Sequence, residues 1–177
     1  MNTSRLDSKN EIAKALLNLL EKKTFQKITV NEICECAQLS RGTFYLHFQD
    51  KYELLSYCLE RLSEEIGCLI VNANPKDGFV TILDHFQRKE KILYHILESN
   101  LTEEMSEMLY RSFSSYITDY LKKKEAQGCL LAGPVDSVAA FYVGGLTSMT
   151  LRWIKSNYAL PKETLAACQA KLLKDIL

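Results

Sequence analysis

Apolar residues recur every three or four positions along almost the whole chain, which is the spacing of amphipathic α-helices. Seven glycines and three prolines among 177 residues are too few to suit a β-sandwich, a disordered chain or a collagen-like chain. No segment reads as a convincing strand. We therefore predict an all-α fold of about nine helices, with approximate bounds 8–23, 29–37, 40–48, 50–71, 79–88, 90–98, 102–126, 135–157 and 161–177.

Capping boxes predict where three of these helices begin. In such a box a Ser, Thr or Asp side chain accepts from an amide of the first turn, and a Glu three residues later reaches back. The pattern predicts helix starts at Ser8, Thr29 and Asp50. The segment 72–78 contains two Asn, a Pro and a Gly, and this composition predicts the clearest loop of the chain.

Charge and cysteine usage exclude several classes of protein. Lys plus Arg number 22 and Asp plus Glu number 22, which excludes a polybasic nucleic-acid binder but not a local docking face. We expect no membrane-spanning helix, because no run of about 18 apolar residues occurs. The polar N-terminal segment has no apolar core of a secretory signal, so we expect a cytoplasmic protein.

The six cysteines lack the spacing of a zinc site, so we expect no metal and no cofactor. We interpret them mainly as buried, reduced thiols, with a redox or metal role as the alternative. No phosphate-binding loop, nucleophile elbow, metalloprotease motif or dinucleotide-binding turn is present. We therefore expect that the protein is not an enzyme.

Two short helices in the segment 29–51, separated by three or four residues, have the outline of a helix-turn-helix. Phe44 and Phe48 are four residues apart, so both should anchor the second helix to the core. The opposite side of that helix then carries Gly42, Thr43 and Leu46, with Tyr45 and His47 at its edges.

Between Cys36 and Gln49 the sequence has one basic residue, Arg41, and no acidic residue. This face therefore lacks carboxylates that would repel phosphate. An outward Leu46 suits contact with a thymine methyl group. On pattern alone, a purely structural helical hairpin remains the alternative interpretation.

The segment 12–55 resembles the DNA-binding domain of the TetR (tetracycline-repressor-like) family. The run SRGTFYLHFQDKYELL, which begins at Ser40, is the most specific part of the resemblance. The other matching residues are Ile12, Ala15, Leu16, Phe25, Ile28, Thr29, Val30, Ile33, Ala37 and Leu39. The resemblance implies that residues 1–50 form a helix-turn-helix domain and that its second short helix enters the major groove.

The resemblance also implies a role for each residue at the DNA. Arg41 would pair with a guanine, and Gly42 would let the backbone approach closely. Thr29 would hold a phosphate at a helix N-terminus, and Lys51 would contact a phosphate directly. The DNA-binding residues predicted in this way are Thr29, Ser40, Arg41, Gly42, Thr43, Tyr45, Leu46, His47 and Lys51.

One position departs from the family pattern. The family commonly has Gly in the turn where this chain has Gln38. If Gln38 adopts a left-handed conformation, the cost is roughly 1–2 kcal/mol.

Residues 51–177 resemble the family's helical effector-sensing and dimerisation domain in architecture. The run FYVGGLTSMTLRWIKSN looks like the branch that includes regulators linked to dihydroxyacetone kinases. Two apolar or small stripes on residues 135–157 indicate burial on more than one side, by a second copy in a four-helix interface or by the chain itself. The predicted dimer interface comprises Val138, Phe141, Tyr142, Gly145, Met149, Trp153, Leu165, Cys168 and Leu172.

Most aromatic residues of the C-terminal domain lie in 79–158, and polar-tipped aromatics suit a ligand pocket between helices. The predicted lining is Tyr94, His95, Tyr110, Tyr116 and Tyr142. The alternative is that these residues are core. We expect a homodimeric transcriptional regulator, by family habit a repressor, that binds a near-palindromic operator and is controlled by a small effector. The alternative is a co-activator or a regulator that answers a protein partner.

Overall fold

The computed structural model describes residues 2–70 and 73–174, and within these ranges it contains nine α-helices, one short 3-10 turn and no strand. This confirms the all-α prediction. The 3-10 turn is Phe25–Lys27. The helices are α1 Asn2–Leu20, α2 Val30–Ala37, α3 Arg41–Tyr45, α4 Lys51–Ile70, α5 Pro75–Arg88, α6 Glu90–Leu97, α7 Thr102–Ala126, α8 Val135–Lys155 and α9 Lys162–Lys174.

Several helix ends differ from the prediction. The expected capping box at Ser8 is wrong, because α1 begins at Asn2 and Ser8 lies inside the helix. Its expected partner, Glu11, accepts from the ammonium of Lys14 at 2.8 Å instead. The predicted helix α3 is too long, since it ends at Tyr45. The predicted ends of α4 at Val71 and of α9 at Leu177 lie outside the described residues.

Helix α5 begins inside the predicted loop. The side chain of Asn74 accepts from the backbone N–H of Asp77 at 3.1 Å, and Pro75 occupies the first helical position. A capping Asn followed by Pro is a strong helix start, since Pro has no N–H to leave unsatisfied. The Asn and Pro that predicted a loop therefore begin a helix.

The helices pack into two connected parts. Helices α1, α2 and α3 surround Phe25 and Phe44, both fully buried. Helix α4 leads from this part into the second, where α7 packs along α4 and α8, and α5 packs on α9. The interior of the second part includes Phe79, Phe86 and Phe113, all fully buried. Helix α4 is thus the element shared by both parts.

Candidate nucleic-acid interface

The capping box predicted at Thr29 is confirmed. The backbone N–H of Glu32 donates to Thr29 Oγ1 at 3.3 Å, and the backbone N–H of Thr29 donates to Glu32 Oε2 at 2.9 Å. The ammonium of Lys23 lies on the same carboxylate, at 2.5 Å from Oε1. The hydrogen bond from Lys23, followed by those from Thr29, lowers the pKa of Glu32 to about 2. The start of α2 is therefore held by an ionised carboxylate.

The turn between α2 and α3 is built around Gln38. This residue adopts the left-handed conformation, with φ of 55° and ψ of 39°. Its N–H donates to the carbonyl of Glu35 at 3.2 Å, and the N–H of Leu39 donates to Cys34 at 3.0 Å. These two bonds form a Schellman motif, in which glycine is the usual left-handed residue. The departure from the family pattern thus lies at a strained position.

Helix α3 is held at its start and at its buried face. The backbone N–H of Thr43 donates to Ser40 Oγ at 3.1 Å, as expected for a cap. Phe44 and Phe48 are buried, so the predicted anchoring face is confirmed. A five-residue helix is marginal by itself in water, so the cap and the buried anchors hold its outward side chains in place.

The outward face of α3 and of Leu46 just after it differs from the prediction at two positions, because Tyr45 is exposed and Thr43 is half-buried. Leu46 is 70% exposed and Tyr45 is 49% exposed, although both are large hydrophobic residues. Arg41 and Gly42 are exposed, and the Arg41 guanidinium donates to the Tyr45 hydroxyl at 3.4 Å. The half-buried residues at the edges are Thr43 and His47. Contact of any of these residues with DNA stays a prediction.

Lys51 has a different environment from the one expected for a phosphate contact. Its ammonium donates to three backbone carbonyls, those of Phe25 at 3.0 Å, Gln26 at 3.1 Å and Ile28 at 2.7 Å. It also lies 4.7 Å from the centre of the Phe25 ring. Burial lowers the pKa of Lys51. All three ammonium hydrogens therefore join the start of α4 to the 3-10 turn.

The N-terminus of α4 is also satisfied by the chain's own side chains. The Asp50 carboxylate accepts from the backbone N–H groups of Tyr52 at 2.8 Å and Glu53 at 2.9 Å. The predicted box is shifted by one residue, since Glu53 accepts from the N–H of Gln49 rather than that of Asp50. This places two carboxylates where the resemblance implied a phosphate contact.

The predicted ligand residues do not share one cavity. Tyr94 and Tyr110 are 54% and 38% exposed. His95 Nδ1 donates to the carbonyl of Leu20 at 2.6 Å, at the contact between α6 and the end of α1. Tyr142 is buried, and its hydroxyl has no hydrogen-bond partner among the residues that the structure describes. Of these five residues, only Tyr116 lines one of the two cavities described next.

The cavity that includes Tyr116 has a volume of about 390 Å³ and lies between the end of α4, the start of α5 and α7. Tyr116 packs against Gly78, where a Cβ atom would come within 2.7 Å of the tyrosine hydroxyl. Burial raises the pKa of Tyr116 to about 12, so its hydroxyl remains protonated. Other residues that line this cavity are Gly67, Pro75, Ser115, Asp119, Tyr120, Lys123 and Lys124.

A second cavity, of about 230 Å³, lies between α1, α4 and α6. Most of its lining lies outside residues 79–158, where the aromatic residues predicted a pocket. Its wall is formed by the apolar stripes of three helices, which in the sequence look the same as core. Only the distance between the packed helices reveals the space.

The predicted dimer interface is partly wrong. Tyr142, Trp153 and Leu165 are buried inside the chain itself, leaving little surface for a second copy. The Trp153 indole N–H donates to the carbonyl of Leu160 at 2.7 Å, which fixes it in the monomer. Val138 and Met149 are half-buried, and the predicted members that do face outward are Phe141, Gly145, Cys168 and Leu172.

One stripe of α8, formed by Phe141, Gly144, Gly145 and Ser148, faces outward. Phe141 is 73% exposed, and Gly144, Gly145 and Ser148 are exposed beside it. A Cβ atom added at either glycine would meet nothing within 4 Å. The small residues therefore leave room for close approach by another helix.

Two family models match the chain. The model described as bacterial regulatory proteins of the tetR family matches residues 12–58, and the one described as transcriptional regulator C-terminal region matches residues 73–175. The chain belongs to the TetR family. TetR proteins are transcriptional regulators, and both the helix-turn-helix and the C-terminal helices of this chain lie within the matched segments.

Relatives and solved structures agree with this assignment. The chain is 30% identical to the transcriptional regulator AcrR of Shigella flexneri over 103 residues, which are 58% of this chain and 46% of AcrR. It is 41% identical to DhaS of Lactococcus lactis, a dhaKLM operon transcriptional activator, over 49 residues, 28% of this chain and 26% of DhaS. The chain thus spans less than half the length of these curated relatives.

The fold matches that of Thermus thermophilus FadR, a TetR-family repressor solved in complex with lauroyl-CoA. The TM-score is 0.68 at 20% identity, with 96% of this chain and 94% of FadR covered. Among the residues that the structure describes, no helix is long and apolar enough to span a membrane. Within the same residues, no group of three or more His, Cys, Asp and Glu side chains is arranged to hold a metal.

Proposed function

We propose that this TetR-family chain is a homodimeric, sequence-specific DNA-binding regulator whose affinity for its operator is set by a signal received in residues 51–177. The observation that carries this proposal is the α2–turn–α3 unit. Phe44 and Phe48 anchor its second helix and the turn that follows it, and Arg41, Tyr45 and Leu46 face outward. A leucine exposed beside an arginine suits a major groove, which presents thymine methyl groups and guanine acceptors.

Helix α3 would read the operator in the major groove. Arg41 lies in its first turn, and its guanidinium can pair bidentately with the O6 and N7 atoms of guanine. Leu46 would contact a thymine methyl group, and Gly42 would allow close approach of the backbone. Thr29, Tyr45 and His47 are the proposed phosphate contacts that set the register.

The dimer would pair the outward stripe of α8 with that of a second copy, with α9 completing a four-helix interface. Phe141, Gly144, Gly145 and Ser148 are exposed on α8, and Leu172 is 46% exposed on α9. A two-fold dimer presents two recognition helices about 34–36 Å apart, one turn of B-DNA, and so reads a near-palindrome.

Control by a small effector is supported by the cavity around Tyr116, which lies in the C-terminal helices. A ligand that binds better to one arrangement of the two α3 helices shifts operator binding by that difference in affinity. The FadR structure, which contains lauroyl-CoA, is the solved neighbour that supports this proposal. We propose repression as the mode of action, as for that protein.

A second candidate is activation of transcription, with a protein partner in place of a small effector. Its support is the relative DhaS, which is an activator. A reporter gene placed under the selected operator separates the two. Expression rises on deletion of this regulator if it represses, and falls if it activates.

Selection from random duplex DNA by the purified protein, sequenced and repeated at two salt concentrations, tests the proposed function. We expect enrichment of a near-palindrome whose half-sites lie about one helical turn apart. Weak, salt-sensitive binding without enrichment would contradict sequence-specific recognition by this chain alone.

Substitutions in α3 test the proposed reading face. Arg41→Ala and Thr43→Ala should each relax preference at particular base pairs, by about 1–3 kcal/mol. Lys122→Ala, at an exposed residue of α7, is the control and should leave the enriched sequence unchanged. If the α3 variants weakened binding to every sequence equally, the assigned face would be wrong.

A further inference from the structure

The cavity between α1, α4 and α6 joins the two parts of the molecule. Ala13 and Leu17 of α1 form one wall, Cys58 and Leu62 of α4 a second, and Ile92 of α6 a third. An occupant would therefore touch the DNA-binding helices and the C-terminal helices at the same time. None of the residues assigned above to DNA or dimer contacts lines it.

The wall of this cavity is suited to an apolar molecule. Cys58 is 5% exposed, and burial raises the pKa of its thiol to about 12, so the wall carries no charge there. The volume is about 230 Å³. An engineered apolar cavity of about 150 Å³ binds benzene, so this space suits a benzene ring with a short substituent.

The rim of the cavity is more basic than acidic. Lys14, Arg61 and Lys89 line it, against one acidic residue, Glu65. Lys14 pairs with Glu11, and the guanidinium of Arg61 donates to Asn10 and Tyr57. Lys89 forms no ion pair among the described residues, so its ammonium is the cation available to an incoming anion.

We infer that this cavity is a binding site for a small apolar carboxylic acid, with its hydrocarbon among α1, α4 and α6 and its carboxylate at Lys89. Charge complementarity and size carry the inference. As a means of control over the operator, it rests on the proposed function. It is separate from the cavity around Tyr116.

The position of the site links occupancy to the DNA-binding part. Helix α6 holds the end of α1 through the 2.6 Å bond from His95 to Leu20. The segment after α6 holds the 3-10 turn, because Gln26 donates to the hydroxyl and the carbonyl of Ser99 at 3.3 and 3.1 Å. A ligand wedged between α1 and α6 acts directly on these bonds. Occupancy should therefore change operator affinity by about 5- to 150-fold.

Direct binding of 3-phenylpropanoate to the full chain, measured by calorimetry, tests the site, with 3-phenylpropanamide as the uncharged control. We expect the acid to bind about fivefold or more tightly than the amide, because only the acid pairs with an ammonium. Equal binding of both, or no binding of the acid, would overturn the inference.

Substitutions locate the site. Lys89→Gln should remove the preference for the acid, whereas Lys171→Gln, an exposed lysine on α9, should keep it. Cys58→Phe should fill the cavity and weaken binding of both compounds at least about tenfold. If Cys58→Phe does not fold, Ala13→Val serves the same purpose from the opposite wall. Unchanged binding in a folded cavity-filling variant would overturn the inference.

Operator binding without ligand is measured first, on the selected duplex. If the ligand-free protein does not bind a specific duplex, the proposed function fails while the calorimetric test of the cavity stands. If the acid binds in the cavity but operator affinity stays constant, control through this site is overturned.

Discussion

At the scale of single residues, two side chains near α3 have conformations or partners that are unusual for their type. Gln38 occupies a left-handed position where glycine is usual. Lys51 directs its ammonium to three carbonyls instead of solvent. Gln38 forms the turn before α3, and Lys51 joins the start of α4 to the 3-10 turn. Substitution of either residue should therefore change the stability of the protein without removing a contact with DNA.

Gln38→Gly should stabilise the protein by about 0.5–1 kcal/mol. Relief of the left-handed strain is worth about 1–2 kcal/mol, and the added freedom of glycine in the unfolded chain offsets part of it. Chemical denaturation measures the difference. Gln38→Ala is the control, since alanine keeps the Cβ atom and should bring no such gain. An unchanged midpoint for the glycine variant would contradict the prediction.

Lys51→Met should lower the free energy of unfolding by about 1.5–3 kcal/mol, because hydrogen bonds from a charged donor are lost. The dependence of operator affinity on salt should stay the same, since the ammonium is already used within the chain. Lys122→Met, at an exposed residue of α7, should change neither quantity. A salt slope reduced by about one, with unchanged stability, would instead assign Lys51 to a phosphate.

At the scale of elements, α5 is held by charged and titratable groups on both sides. Asp84 accepts from the ammonium of Lys162 of α9 at 2.6 Å and from Arg88 at 2.6 Å. The hydrogen bond from Lys162 is the main cause that lowers the pKa of Asp84. On the other side, His85 Nε2 lies 3.7 Å from Glu65 of α4.

The environment of His85 predicts that the stability of the protein depends on pH. Burial, followed by the charge of Lys89, lowers the pKa of His85 below 6.5. The unfolded chain then takes up this proton more readily than the folded chain does. The stability that neutral His85 contributes to the folded chain is present above pH 6.5. It is lost as the pH falls through 6.5 towards the pKa of His85 in the folded chain.

Between pH 7.5 and pH 5, the free energy of unfolding of the His85→Gln variant should therefore fall by less than that of the unaltered chain. Urea unfolding at both pH values measures this. Residues other than His85 contribute equally to both proteins, so the difference between the two pH dependences isolates the histidine. An identical pH dependence would contradict the assignment.

At the scale of the whole molecule, the outward stripe of α8 is the surface on which the proposed dimer depends. Phe141 is 73% exposed and has small residues beside it. A large aromatic side chain exposed next to glycines is the pattern of an interface anchor, since aromatic residues dominate the energy of protein–protein contacts.

Phe141→Glu should weaken the dimer at least about 30-fold, because a central aromatic anchor is lost and a charge is placed in the interface. Analytical ultracentrifugation over a dilution series measures the association. Tyr94→Glu is the matched control, as Tyr94 is an aromatic residue of α6 that is 54% exposed away from this stripe. A dimer unaffected by Phe141→Glu would contradict the proposed interface.

Short-range patterns allowed the recognition unit to be predicted. The box at Thr29, the cap at Ser40 and the buried pair Phe44 and Phe48 all depend on residues three or four positions apart. Such neighbours meet whenever a helix forms, whatever lies around it. The sequence by itself therefore determined the all-α class, the α2–turn–α3 unit and the buried face of α3.

The tertiary structure decided what long-range packing controls. Both stripes of α8 look alike in the sequence, and only packing against the neighbouring helices buries Tyr142 and leaves Phe141 outside. The carbonyl partners of Lys51 lie 23 to 26 residues away. The cavity between α1, α4 and α6 is likewise set by the separation of three helices. Periodicity identifies an apolar face, but the partner of that face depends on contacts between segments distant in the sequence.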